Sequence, residues 1–213
     1  MKEKQISYYA QRAQEYEKVY YKPERQNDLR KLEELLPQLV KAKSVLEIGC
    51  GTGYWTQFLS KTAKLILATD INHSMLEIAK SKSYDCETEF RELDYEKIVE
   101  VAASFEVIFA GFVISHIRRE NLLSFISKLS SKLKRGGELI FVDNRFVEGS
   151  NTPIESVDEK GNTFQRRKLE DGSSFKVLKN FYTEEDWRRD IADQSEFELR
   201  ELNYFYLLRL KNL

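Results

Sequence analysis

Residues 45–53 read Val45-Leu46-Glu47-Ile48-Gly49-Cys50-Gly51-Thr52-Gly53. An apolar run, broken only by Glu47, passes directly into glycines at every second position. Such a run fits a strand buried on both faces of a parallel sheet. The glycines then form a tight turn that opens a helix. They let backbone N–H groups approach a ligand at the helix N-terminus, where side chains would intrude. Glu47 is an acid at the buried end of a strand, which requires a partner, so it is read as functional.

Outward from this stretch, strand and helix patterns alternate. Strands are expected at 45–48, 65–69, 88–93, 105–110 and 138–142, and helices at 54–61, 74–81, 95–102 and 121–133. Asp70 and Asp94 follow the second and third strands. The alternation predicts an α/β fold with a doubly wound, mostly parallel sheet. Residues 1–43 read as charged helices with Tyr8, Tyr9, Tyr16, Tyr20 and Tyr21 interleaved; Pro23 fits a helix start, and Pro37 is expected to end or interrupt that helix. Residues 146–182 break the rhythm. Gly149–Gly161 reads as a loop, and 162–168 and 173–178 flank Leu169-Glu170-Asp171-Gly172 as a β-hairpin insert before the last helix. That helix is expected over 183–192 with Thr183 as its cap. Strands at 198–202 and 204–210, antiparallel at the sheet edge, bring the sheet to seven. The expected organisation is one domain over 1–213: a helical cap (1–43), a ligand-binding core (44–145), an insert (146–182), and a last helix with edge strands (183–213).

The chain has 213 residues, suited to one α/β domain with small additions. Its 34 basic and 35 acidic residues leave a net charge of −1, which gives no electrostatic reason to expect broad phosphate binding, and no nucleic-acid partner is expected. Cys50 and Cys86 make no disulfide framework and read as reduced thiols. The N-terminus lacks the apolar core of a signal peptide, and no segment approaches the ~20 apolar residues that span a bilayer. A cytoplasmic protein without membrane insertion is expected.

Dinucleotide folds of the dehydrogenase type use G-x-G-x-x-G. Here the third glycine comes one residue early and Glu47 sits at the strand end. With acids after the next two strands, the pattern resembles the nucleotide-binding motif of class I S-adenosylmethionine-dependent methyltransferases, in the style of the ubiquinone/menaquinone-type and natural-product enzymes. The resemblance implies a Rossmann-like sheet and S-adenosylmethionine as cofactor. It implies that Gly49, Gly51 and Gly53 face the carboxypropyl and ribose region, that Glu47 serves the amino-acid end, and that Asp70 accepts both ribose hydroxyls. Asp94 and Tyr95 fall near the adenine amine, Ile71 and Met75 flank the ring, and Gly111 and Phe112 complete the cofactor site. Competing readings make Asp70 or Asp94 a plain helix cap and Met75 ordinary core.

Methyl transfer from a sulfonium needs an aligned acceptor, exclusion of water, and a proton acceptor where the nucleophile carries a proton. The loop Gly111–Arg119 is expected over the methyl group. His116 is the candidate general base, with a packing role as the alternative; His73 reads as structural. Tyr9, Tyr16, Ser115, Asn144 and Arg145 are candidate acceptor-pocket residues, although the tyrosines also fit an amphipathic helix packed on the sheet. No Asn/Asp-Pro-Pro-aromatic motif follows the fourth strand, which weighs against DNA-amino methylation. Asp143-Asn144 resembles the Mg²⁺-dependent catechol O-methyltransferases, but Ala110-Gly111 stand where those carry an acid, so no metal is expected. Arg166-Arg167-Lys168 reads as a solvated strand face, with an acidic substrate as the alternative. The resulting expectation is methyl transfer to an O or N atom of a small molecule. An RNA or protein methyltransferase and a non-catalytic cofactor-binding module are the alternatives, and a dehydrogenase is disfavoured by the glycine spacing.

Overall fold

Ser44–Ile48 is buried at every position and forms β1, the middle of the sheet. The computed structural model describes residues 2–191 and 196–211. Strands β2 (Leu65–Asp70) and β4 (Phe105–Gly111) pair with β1 in parallel on its two sides. β3 (Glu87–Glu92) adds beyond β2, and β5 (Leu133–Asn144) beyond β4, also in parallel. β10 (Phe205–Lys211) runs antiparallel between β5 and β9 (Glu196–Glu201), giving the order β3-β2-β1-β4-β5-β10-β9. The winding reverses between β1 and β4. In open α/β sheets, ligands bind at the carboxyl ends of strands flanking such a reversal.

Two helical layers cover the sheet, and period-two alternation divides its residues between them. Leu46, Ile108, Phe141 and Leu208 face α5 (Leu122–Ser130) and α6 (Glu184–Ile191). Val45, Val107, Ile140 and Leu207 face α2 (Gln26–Val40) and α3 (Tyr54–Ser60). α1 (Lys2–Gln11) and a 3₁₀ segment, Ala13–Tyr20, precede α2, and α4 (His73–Lys80) lies between β2 and β3. No described helix is long and apolar enough to cross a membrane.

Several expected boundaries shift for identifiable reasons. Pro37 does not end its helix: α2 continues to Val40, with Leu36, Pro37 and Val40 buried. The burial outweighs one lost backbone hydrogen bond. The expected helix over 95–102 is a 3₁₀ segment, Tyr95–Glu100, whose first N–H groups are capped by Asp94. The expected long helix at 121–133 stops at Ser130, and β5 begins at Leu133, pairing with Phe105. Gly136-Gly137 therefore lies within a strand; a side chain on Gly137 would come within 2.9 Å of the Glu106 carbonyl. The stretch read as a loop contains β6 (Ile154–Val157), which joins β7 (Thr163–Lys168) and β8 (Ser174–Leu178) in a separate three-stranded antiparallel sheet. β6 is polar because alternate residues face solvent. β9 forms the sheet edge and β10 lies inside it. The expected helix end at Ala192 lies outside the described residues.

The small sheet is docked by buried polar chemistry. Lys179, just after β8, places its ammonium 2.8 Å from Asp143 Oδ1 in β5 and 2.6 Å from the Ser115 hydroxyl. Both charged side chains are almost fully buried. The backbone N–H groups of Ser115 and Asn144 also donate to Asp143. Asn180 donates from its backbone to the Ser115 carbonyl and from its amide to the Ile117 carbonyl. Burial alone would raise the Asp143 pKa, but the Lys179 ammonium holds it below its ordinary value. Lys179→Met strands a buried carboxylate and is expected to cost about 3–5 kcal/mol, measurable by urea denaturation.

Candidate active site

A cavity of about 370 Å³ opens at the carboxyl ends of β1, β2 and β4. Gly49 and Gly51 form its floor. Gly49 has φ +66°, and a Cβ there would lie 2.6 Å from Val113 Cγ2, so only glycine lets the turn pass under the β4 loop. Asp70, at the tip of β2, accepts from the Gly51 N–H at 2.9 Å and from the Asn72 N–H at 2.8 Å, one on each oxygen. The carboxylate is thereby fixed while each oxygen keeps a second acceptor direction, which suits a vicinal diol. Burial raises its pKa, opposed by these backbone donors.

Ile71, Met75, Asp94 and Tyr95 form one wall of the cavity, and Gly111, Phe112 and His116 another. Met75 is also core, at 2% exposed. Asp94 accepts from the Glu96 N–H as the cap of its 3₁₀ segment while lining the cavity. Asp70 is not the cap of α4, whose N-cap is Asn72. Glu47 and Gly53 are not among the lining residues. Glu47 is buried behind the turn, where Thr56 donates to it at 2.7 Å and burial pushes its pKa up to about 8. Gly53 is required by packing instead: a Cβ there would meet Tyr84 Oη at 2.4 Å.

A second cavity, about 510 Å³, lies between α1, the following 3₁₀ segment, the small sheet and Arg25. Tyr9, Tyr16, Phe112 and His116 line both cavities. Asn144 lines the second cavity and accepts from Arg25 at 3.1 Å. Ser115 and Arg145 line neither. Ser115 is fully buried in the Lys179–Asp143 cluster, and Arg145 donates to the Leu202 carbonyl. Among the described residues, no cluster of three or more His, Cys, Asp or Glu is placed to hold a metal ion. Asp143 spends its oxygens on Lys179, Ser115 and Asn144.

A directed hydrogen-bond chain crosses the shared wall. His116 Nδ1 lies 2.6 Å from the Leu178 carbonyl, which can only accept, so Nδ1 carries the proton. Nε2 therefore accepts from the Tyr9 hydroxyl at 2.8 Å, and Tyr9 in turn accepts from Arg167 Nη1 at 3.2 Å. Burial, aided by the Lys179 and Arg167 charges, lowers the His116 pKa from 6.5 to about 3. The imidazole is neutral throughout the neutral range. His73 is far more exposed and faces Glu77 and Glu92. Arg25, Lys179 and Arg12 carry no signal in the sequence, being single basic residues in polar or apolar surroundings. Arg167 belonged to a run read as solvated; alternation instead turns it inward beside Gln165, with Arg166 and Lys168 outward.

The family model described as a methyltransferase domain matches residues 45–137. The DhpI–SAM–HEP complex superposes with a TM-score of 0.79 at 26% identity, covering 98% of this chain and 96% of that one, and a DhpI–SAH complex fits equally well. Residues 45–137 belong to the methyltransferase-domain family, and the fold built around them is that of the class I S-adenosylmethionine-dependent methyltransferases. S-adenosylmethionine is its cofactor, and the Asp70 carboxylate, glycine floor and apolar slot fit that molecule. Among curated relatives, the malonyl-[acyl-carrier protein] O-methyltransferase of Priestia megaterium is 28% identical over 80% of this chain and 59% of its own length. The tRNA U34 carboxymethyltransferase of Vibrio vulnificus is 31% identical over 58% of this chain and 39% of its own length. The methyltransferase chain spans between 39% and 62% of the length of these and similar relatives.

Two outcomes are expected from this geometry. Asp70→Ala, in a variant that still melts cooperatively, should weaken S-adenosylmethionine binding by at least ~1.5 kcal/mol in a calorimetric titration, for the two ribose hydrogen bonds. The second concerns pH. The unfolded imidazole takes up its proton near 6.5 and the folded one only near about 3, so the unfolded chain binds more protons in between. Stability should therefore fall as the pH drops through that window. His116→Gln should flatten the fall, read from urea midpoints at several pH values.

Proposed function

We propose that the chain transfers a methyl group from S-adenosylmethionine to an O or N atom of a compact small molecule held in the second cavity. The observation that carries this reading is the shared wall: Tyr9, Tyr16, Phe112 and His116 line both cavities, so the two ligands would meet there. The second cavity is roofed by α1 and the small sheet, and its volume suits a small metabolite. The O-methyltransferase among the relatives supports oxygen as the accepting atom.

When bound, S-adenosylmethionine supplies a methyl group already activated by the sulfonium charge. The chain's own residues then bind, orient and exclude water. Asp70 and the glycine floor hold the nucleoside, with Asp94 and Tyr95 toward its base. Glu47 and Gly53 support the turn from behind. Tyr9 and Tyr16 flank the boundary where the ligands meet and exclude water from it. The neutral His116 Nε2 points at the same wall; held at a pKa of about 3, it takes the proton of an acceptor hydroxyl standing in place of the Tyr9 hydroxyl only as the new O–methyl bond forms and acidifies that proton. Correct alignment alone supplies several kcal/mol.

Purified protein incubated with methyl-labelled S-adenosylmethionine and either a small-metabolite pool or total tRNA tests the reading. Label in the small-molecule fraction supports it; label in tRNA, with salt-sensitive tRNA binding, overturns it in favour of the RNA alternative. His116→Asn is expected to lower kcat ~10²–10⁴-fold at neutral pH. An unchanged rate would remove the base from the mechanism and leave alignment.

A further inference from the structure

The second cavity has a charge that the chain as a whole does not. Net charge is −1, yet Arg12, Lys22, Arg25 and Arg167 all line this one space. Among the described residues none of the four has a carboxylate within 4.0 Å. Their donors end on neutral oxygens. Arg12 donates to Tyr8 Oη at 3.0 Å, and Lys22 to the Ser150 carbonyl at 2.5 Å. Arg25 donates to the Ser150 hydroxyl and carbonyl and to Asn144. Arg167 donates to Gln165 Oε1 at 2.8 Å and to Tyr9.

Three partly or fully buried cations elsewhere are paired with acids: Arg119 with Asp186, Arg209 with Glu138, and Lys179 with Asp143. The acids near the cavity are committed. Glu15 and Glu170 meet Lys18 at the rim, and Glu24 accepts from the Ser150 hydroxyl. Arg25 is only 7% exposed. Burial first, and then the Arg25 charge, lowers the Lys22 pKa, with the nearby Glu24 carboxylate opposing them. Holding the buried Arg25 and the half-buried Arg167 and Arg12 with no carboxylate bonded to them is unfavourable, and a bound anion would relieve it. Guanidinium forks suit planar carboxylates and phosphoryl groups.

We infer that the acceptor carries an oxyanion, a carboxylate or phosphoryl group, and that Arg167, Arg25, Arg12 and Lys22 hold it in the second cavity. This rests on the function proposed above and names the substrate class of the same site. Arg167 bonds the Tyr9 hydroxyl that bonds His116 Nε2. An anion on Arg167 therefore sits one side chain from the wall shared with the cofactor cavity. The remainder of the acceptor then reaches across that wall. The cations line a cavity of about 510 Å³, which suits a compact acceptor.

The experiment is calorimetric titration of the protein, saturated with S-adenosylhomocysteine, with inorganic phosphate in one arm and malonate in the other. Binding of either is expected, and the arm that binds tells phosphoryl from carboxylate. Arg167→Gln is expected to weaken it about tenfold or more, the loss for a charge-assisted hydrogen bond. Lys22→Gln, an exposed position where folding is not at stake, should weaken it in the same direction. S-adenosylhomocysteine affinity should be unchanged in both variants. If neither anion binds while S-adenosylhomocysteine does, the inference falls and the proposed function stands. The same holds if both variants bind the anions as the parent does, or if tRNA displaces them. If S-adenosylhomocysteine itself does not bind, the proposed function falls, and titration of the free protein still decides the anion site.

Discussion

The Asp143 carboxylate is fully buried, and the architecture around the acceptor cavity depends on how it is satisfied. Lys179 brings its ammonium to it from the small sheet, and the β4 loop and β5 bring backbone N–H groups. A buried ion pair is weak evidence for net stability, but its partners are strongly coupled because losing one leaves the other uncompensated. Here the coupling fixes the small sheet against the seven-stranded one. Leu178 immediately precedes Lys179, so the same anchor sets the carbonyl that holds His116 Nδ1. A structural ion pair and the tautomer of the candidate base are thus one arrangement.

The two cavities have different characters because different parts of the chain build them. The cofactor cavity is made from strand ends and the turns that follow, and its polar atoms are carboxylates and backbone N–H groups pinned to each other. The second is made from what surrounds the sheet: α1, the turn at Pro23–Arg25, the 3₁₀ segment and β7. Its polar atoms are long cationic side chains. The carboxyl end of the central strands fixes where the two meet, while the contents of the second can vary independently of the first.

The same division explains what was legible in the sequence. Backbone geometry imposes residue types, so the turn at Gly49-Cys50-Gly51 and the acid ending β2 at Asp70 could be read directly from the sequence. Apolar alternation likewise marked all seven strands of the large sheet. Gly53 and Glu47 also stood out, but they lie behind the lining, because a glycine can be demanded by a packed neighbour such as Tyr84 as well as by a ligand. Pro37 was misread because the propensity rule weighs one hydrogen bond and ignores the buried face around it. β6 was missed because a half-exposed strand in a small sheet needs few apolar residues. Arg25, Lys179 and the inward turn of Arg167 depend on strand register or on contacts between segments 36 to 158 residues apart, and no local pattern encodes those.

Phe112 has a consequence of its own. It is a bulky residue in the left-handed region, at φ +61°, held by its N–H on the Val142 carbonyl and by rings of Tyr20, Trp55 and Phe205 about 6 Å away. That backbone costs a non-glycine residue roughly 1–2 kcal/mol. Glycine would ease the torsion, yet it would also delete the ring that stands between the two cavities. Conformational comfort and the shape of that boundary pull in opposite directions at this position, and the chain accepts a twisted backbone to keep the ring that narrows it.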